Sequence, residues 1–356
     1  MKILIIGFAK IKYMPYLDFH LKNLDLEKND VSLVYWNRDC GDDASVDTRI
    51  KTYEFKSFLD DESPKASKIT SFIKFRNFTK KIIEKEKFDF ITVFHSVPAL
   101  LFADILLKKY KNRYIFDYRD ATYESFAPFK KAIGKITESS YATFVSSDAF
   151  RKLLPESEKI YTTHNMLLAS LEHRVDYGEK NEPLEISFWG FLRHNEINRA
   201  IVDRIANDSR FTLVFHGREQ ETTKYIKNYC KENGIKNVSF TGEYKAEDRY
   251  DFPKTAALLH NIFLNDTTVY AVGNKFYDGI MFYIPMICNK GSFMGELCEK
   301  YGVGIAADPT ETDFADKIFE YYKNLDRKQF KTNCDTALLH ILKEYNETAE
   351  ILKNLK

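Results

Sequence analysis

The sequence lacks the features that mark several protein classes. Its 356 residues contain five cysteines, Cys40, Cys230, Cys288, Cys298 and Cys334, scattered and without a CxxC pair. Such a set excludes a disulfide framework and a zinc-type ligand pattern, and suits free thiols in a reducing compartment. No apolar run reaches the roughly 20 residues that a helical membrane span needs. The opening MKILIIGFAK carries an apolar run, Ile3 to Ile6, that is too short for a signal-peptide core. An excess of one charge is also missing. The formal net charge is +1, which argues against a dedicated nucleic-acid binder. Internal repeats, coiled-coil heptads and low-complexity tracts are absent. These absences leave a globular protein expected in the cytoplasm.

What is present supports buried cores. Hydrophobic residues make up 44% and charged residues 29% of the chain, outside the range of disorder. The length is a prior for two domains. Short apolar runs alternate with helical stretches from the start. Strands are expected at Lys2–Ile6, Val31–Trp36, Phe88–Phe94, Arg113–Asp117, Ala142–Val145 and Lys159–Thr162, with helices at Pro98–Tyr110 and Phe129–Ser139. Several runs are apolar on consecutive positions, as in parallel strands covered on both faces.

The alternation breaks at residues 167–183, LLASLEHRVDYGEKNEP, which reads as a linker. It resumes with strands at Leu184–Trp189, Phe211–Phe215, Asn237–Thr241, Ile262–Leu264, Pro285–Cys288 and Gly302–Ile305, and helices at Glu196–Ala206 and Lys224–Asn233. The tail from Thr312 reads as two or three helices. The expected organisation is a first α/β domain at 1–166, a linker at 167–183, a second α/β domain at 184–332, and a C-terminal helix at 333–356. In open α/β sheets, ligands sit at the carboxyl ends of the strands, beside helix N-termini that attract phosphate.

The stretch Asn274–Ile287, NKFYDGIMFYIPMI, is the most informative. Read as a helix ending before Pro285, it places Lys275 and Asp278 on one face. A cation suits phosphate and a carboxylate suits ribose hydroxyls. A solvated i,i+3 ion pair explains the same spacing. Three strands end in glycine: SFWGFLR puts Gly190 before Arg193, VFHGR ends on Gly217, and VSFTGEY places Glu243 and Tyr244 after a glycine. A strand-end glycine lets backbone N–H groups approach phosphate, or is a plain turn. In the first half, YIFDYRDATYE ends a strand at Asp117 and continues through Arg119, Asp120 and Glu124. His95 in FHSVP sits at another strand end, and Gly7 ends the first strand. Each of these could also serve packing or an internal salt bridge.

Taken in order, these segments resemble the GT-B glycosyltransferases, in particular the retaining family 4 type of bacterial surface-polysaccharide assembly. In that family the donor-site helix runs N-K-[apolar]-F-E-Y-M-A-x-G-x-P-V. Asn274, Lys275, Asp278 and Pro285 match it in type and register. The resemblance implies an α/β fold of two Rossmann-like domains facing across a cleft, with the helical tail packing back on the first domain. It implies a donor site of Gly190, Arg193, Gly217, Glu243, Tyr244, Asn274, Lys275 and Asp278, with Asp278 on the donor ribose. It implies a catalytic and acceptor side of Asp117, Arg119, Asp120, Glu124 and His95, with Gly7 in the acceptor loop. Two positions depart from the pattern. Tyr270 stands where a second acidic residue contacts the transferred sugar, and Tyr283 replaces the glycine before Pro285. Glu196 stands at the usual second-cation position.

The implied activity is transfer of a sugar, as in a hexosyltransferase, from a nucleotide-diphosphate donor to a glycan or lipid-linked acceptor. It is retaining, needs no metal and uses no cofactor. A nucleotide-sugar epimerase on the same fold, or a non-catalytic partner subunit, are the alternatives. Residues 65–87 add a basic stretch: Lys65, Lys68, Lys74, Arg76, Lys80, Lys81, Lys85 and Lys87, interleaved with Ile69, Phe72, Ile73, Phe75, Ile82 and Ile83. Such a helix suits peripheral contact with the inner face of an anionic membrane, or packs on the core with its basic face in water.

Overall fold

The computed structural model describes residues 1–60, 63–262 and 268–355. The chain divides into two compact units, Met1–His164 with Lys343–Lys356, and Asn165–Leu342. Each is a parallel sheet flanked by helices.

The first unit runs β1 (Lys2–Ile6), α1 (Leu17–Asn23), β2 (Asp30–Asn37), β3 (Lys51–Lys56), α2 (Lys65–Glu86), β4 (Phe90–Phe94), α3 (Ser96–Leu101), α4 (Ala103–Lys109), β5 (Tyr114–Tyr118), α5 (Ala127–Ser139), β6 (Ala142–Val145) and β7 (Ile160–Thr162). Its strands lie in the order β3, β2, β1, β4, β5, β6, β7, all parallel. The order reverses direction between β1 and β4, which is the switch point where this topology opens a crevice. The strands β4, β5 and β6 are buried at every position, so their apolar residues face helices on both sides.

The second unit runs β8 (Leu184–Trp189), α6 (Asn195–Ile205), β9 (Phe211–His216), α7 (Glu221–Glu232), β10 (Val238–Gly242), β11 (Ala256–Asn261), α8 (Asn274–Met281), β12 (Met286–Asn289), α9 (Phe293–Tyr301), β13 (Gly304–Ala307), α10 (Phe314–Lys323) and α11 (Arg327–Lys353). The order β10, β9, β8, β11, β12, β13 repeats the first topology, with its switch point between β8 and β11. Ile186, Phe188, Leu213 and Phe215 pack one sheet face against Ile201, Val202 and Ile205 of α6, Ile226 of α7 and Ile318 of α10. The division between units falls inside α11. Its last turns pack on the first unit: Thr348 donates to the Thr162 carbonyl at 2.9 Å and His164 meets Glu344 at 2.8 Å. The tail therefore returns to the first unit, as the sequence implies.

Several elements differ from the sequence reading. β3 is absent from it because KTYEFK has no apolar run; this edge strand is exposed or half-buried throughout. The expected helix Pro98–Tyr110 is two helices, because Phe102 leaves the helical range (φ −107°) and buries its ring near Phe75. The strand expected at Ile262–Leu264 lies earlier, at Ala256–Asn261, and residues 263 and 264 fall outside the described residues. The last strand starts at Gly304 rather than Gly302. Gly302, at φ +63°, instead closes α9 in the left-handed conformation that glycine accepts.

The basic stretch forms α2, and the helix divides its apolar residues. Phe75, Ile82 and Ile83 are buried, whereas Ile69 and Ile73 are 58% and 50% exposed. Phe75 stacks on Trp36 at 5.6 Å and meets Phe8 edge-on at 5.3 Å, which fastens the helix to β1 and β2. No helix among the described residues is long and apolar enough to cross a membrane. Phe75→Ala should destabilise the first unit by about 3–5 kcal/mol, because the aromatic cluster cannot close over the cavity. Urea unfolding followed by Trp36 fluorescence measures this.

Candidate functional site

In the second unit the site begins with two touching turns. Gly190, after β8, sits at φ +119° and donates its N–H to the His216 carbonyl at 2.9 Å. Gly217, after β9, donates to the Gly242 carbonyl at 2.9 Å. A Cβ on Gly217 would collide with the Gly190 carbonyl oxygen, so this crossing requires glycine. The turns lead to exposed Phe191, Arg193 and Arg218.

α8 brings the other charged groups. Asp278 is buried, with Oδ2 accepting from Trp189 Nε1 at 2.8 Å and Oδ1 paired with Arg249 Nη2. Burial pushes its carboxyl pKa up, and Arg249, Trp189 and Lys275 offset this only in part. Two donors leave an ionised carboxylate, with roughly four acceptor sites, able to take further hydroxyl bonds. Lys275 is partly buried, its Nζ 4.2 Å from the Phe188 ring centroid. Burial lowers its pKa to about 8, with Arg193 and Arg249 adding repulsion and Asp278 opposing. His260 behind it is held to about 3 by burial and by Lys275, and so stays neutral. Asn274 and Glu243 are exposed, and Tyr244 meets Phe252 edge-on at 5.0 Å. Phe252 stacks on His216 at 3.8 Å. Thus Gly190, Arg193, Gly217, Lys275 and Asp278 gather at the carboxyl end of one sheet.

Sequence reasoning missed Trp189, Arg249 and Phe252. Arg249 and Phe252 lie in short 3-10 turns, Ala246–Tyr250 and Phe252–Lys254, which carry no periodic signal. Trp189 beside Gly190 offered a signal, as an indole at a strand end that needs an acceptor when buried.

Both departures from the family pattern find a place. Tyr270 lies in the turn before α8. Tyr283 takes φ +54°, where a glycine is at ease, and ends the helix at Met281 rather than just before Pro285. Its hydroxyl donates to Asp335 at 2.7 Å and its ring lies 4.3 Å from the Arg174 guanidinium. These contacts tie the end of α8 to α11.

In the first unit the candidate residues separate into two groups. Asp117, at the end of β5, is fully buried. It accepts from His20 Nε2 at 2.6 Å and pairs with Arg119 Nε at 2.6 Å. Burial opposes its charge, but Arg119 and His20 outweigh burial and hold the carboxyl below its usual pKa. Burial also lowers the His20 pKa, so His20 is a neutral donor. Outward from this network, His95 follows β4 at φ +68°, a strained backbone for a non-glycine residue. Its Nε2 lies 2.5 Å from the Tyr16 hydroxyl and its Nδ1 lies 3.5 Å from exposed Asp120. Glu124 is buried, accepts from the Thr122 N–H at 2.5 Å, and leaves Oε1 without a partner. Gly7 is buried beneath the Met14 thioether, which a Cβ would strike at 2.6 Å. Sequence reasoning missed His20 and Tyr16. Among the described residues no group of three or more His, Cys, Asp or Glu side chains is placed to hold a metal ion.

No family model matches the sequence, and no curated protein matches it. Solved structures do match its fold. Sucrose-phosphate synthase from Thermosynechococcus elongatus superposes with a TM-score of 0.70 at 12% identity, over 99% of this chain and 95% of that one. Anabaena HepE in complex with UDP gives 0.70 at 14% identity, over 100% of both chains. A glycosyltransferase from Rickettsia africae gives 0.69 at 12% identity, over 99% of this chain and 98% of that one. The two Rossmann-like units are the GT-B architecture that the resemblance implied. Likeness at these identities shows the fold alone.

The Lys275 geometry makes a direct prediction. The fold penalises its charged form, so this contribution weakens the native state below about pH 8 and vanishes as pH rises toward 10.5. Amine acylation followed by peptide mass spectrometry should show Lys275 reaching half its maximal reactivity near pH 8, well below exposed lysines near 10.5.

Proposed function

We propose that this chain is a glycosyltransferase that moves a sugar from a nucleotide-diphosphate donor to a glycan or lipid-linked acceptor in bacterial surface-polysaccharide synthesis. The observation that carries this reading is the assembly of Lys275, Asp278 and Arg193 beside the glycine turns Gly190 and Gly217. Asp278 has the acceptor capacity for ribose hydroxyls. Lys275 and Arg193 meet the diphosphate. As the bond from the anomeric carbon to the leaving oxygen breaks, negative charge grows on the diphosphate, and cations already in place stabilise it. In this reading those cations do the work that a metal does elsewhere. Retention of anomeric configuration follows from the family resemblance. The UDP bound by HepE agrees in chemical class with the proposed donor.

On the acceptor side the partly exposed pair of His95 and Asp120 is placed to meet an acceptor hydroxyl. Asp117 and Arg119 hold the strand end from within. Tyr16 and Asp120 engage opposite ring nitrogens, which fixes the imidazole orientation.

A thermal-shift panel of UDP, GDP, ADP and their sugars tests the donor side. One nucleotide series should raise the melting temperature, and Asp278→Asn should abolish the shift. Asn is the better variant, because its amide oxygen can still accept a hydrogen bond, whereas Ala leaves both the Trp189 and the Arg249 donors without that acceptor. A full shift retained in Asp278→Asn sinks the assignment. An altered sugar released without an acceptor would identify an epimerase instead. His95→Gln should lower turnover about a hundredfold with nucleotide binding unchanged.

The lipid-linked acceptor assigns α2 to the membrane surface, through exposed Ile69 and Ile73 and the basic residues Lys74 and Lys81. Vesicles containing anionic lipid should retain the protein, and neutral vesicles should not. Ile69→Ser with Ile73→Ser should release it, and retention of that double variant would exclude this surface.

A further inference from the structure

The sequence leaves the donor site one cation short, since Glu196 occupies the position where a second one is expected. The structure brings another cation beside Arg193 from a different strand end. Phe191 follows the Gly190 turn and is 44% exposed, so its ring is open to neighbouring side chains. Two guanidiniums converge on it, Arg193 at 4.5 Å and Arg218 at 5.8 Å from the ring centroid. They come from adjacent strand ends, β8 and β9, brought together by the contact between Gly190 and Gly217.

Neither arginine is ion-paired among the described residues; besides the ring, Arg218 donates to the Gln220 amide oxygen at 2.9 Å. Most other arginines of the second unit have carboxylate partners, as Arg210 has Asp208 and Arg249 has Asp278. Two like charges gathered on one ring, neither ion-paired among the described residues, repel until an anion arrives. The ring eases this by offering its negative face to both guanidiniums. Arg193 is also near enough to depress the Lys275 pKa, so those two cations share one field.

We infer that Arg193 and Arg218, seated together on Phe191, form a paired-guanidinium clamp for the diphosphate of the donor, with Arg218 in place of the missing second cation and Phe191 as a positioning residue. Planar guanidiniums bind phosphate oxygens through two parallel hydrogen bonds, which a lysine cannot do. The inference rests on the nucleotide-sugar reading above and adds to it a residue and a platform.

Isothermal titration of the full chain with UDP, GDP and ADP, each beside its nucleoside, tests it. For the diphosphate that the wild type binds, Arg218→Ala should weaken binding by about tenfold or more, the loss expected for a charged hydrogen-bond donor. Binding of the matching nucleoside should not change. Phe191→Leu should weaken the diphosphate similarly, and Phe191→Tyr, which keeps a ring, should restore it. Diphosphate affinity within twofold of wild type in Arg218→Ala overturns the clamp and leaves the nucleotide reading standing. Equal losses of nucleoside and diphosphate also overturn it, because the effect is then structural. If the wild type binds none of the three diphosphates, the nucleotide reading falls and the clamp with it.

Discussion

A carboxylate taken out of water must be given partners, and both units are organised around that requirement. In the second unit the carboxylate is Asp278. It gathers the indole of Trp189 from β8 and the guanidinium of Arg249 from a 3-10 turn, so segments far apart in sequence meet at one point. In the first unit it is Asp117, which draws His20 from α1 and Arg119 from the following loop. Each network lies at or near the carboxyl ends of the parallel strands, where the topology leaves a crevice. Removing either acid would strand a buried cation, so the networks hold the strand ends as well as any ligand.

The two networks differ in what they leave available. Asp117 is fully buried, with His20 and Arg119 engaging both its oxygens. The more exposed polar groups beside it are His95 and Asp120, the pair proposed to meet the acceptor. Asp278 shares its site with Lys275, whose pKa is lowered by burial, with Arg193 and Arg249 adding repulsion. Arg193 and Arg218 add charge at adjacent strand ends that no carboxylate among the described residues pairs. In the proposed reading this charge serves the diphosphate of the donor. The glycine contact at Gly190 and Gly217 sets the geometry, because any side chain on Gly217 would force the two turns apart.

Much of the fold is legible in the sequence because parallel strands buried on both faces must be apolar on consecutive residues. β1, β4, β6, β8 and β12 announce themselves in this way. β3 does not, since a sheet edge needs no apolar face. Helix ends were harder to place than helix centres: Tyr283 in the left-handed region stops α8 early, and Phe102 divides α3 from α4. In neither case does composition signal the break. At the site, Lys275, Asp278 and the strand-end glycines were visible because their roles depend on local spacing along one helix or one turn.

The sequence by itself determined two Rossmann-like units, the strand ends at which chemistry collects, and the residue types on α8. Those properties follow from periodicity and from neighbours close along the chain. Only the tertiary structure decided that Arg249 and Trp189 hold Asp278, that Tyr16 and Asp120 flank His95, and that Arg218 joins Arg193 on Phe191. These pairings join residues between 2 and 89 positions apart. The longer ones form only when strand order and crossing turns bring separate segments to the same sheet edge, and no local pattern encodes that meeting.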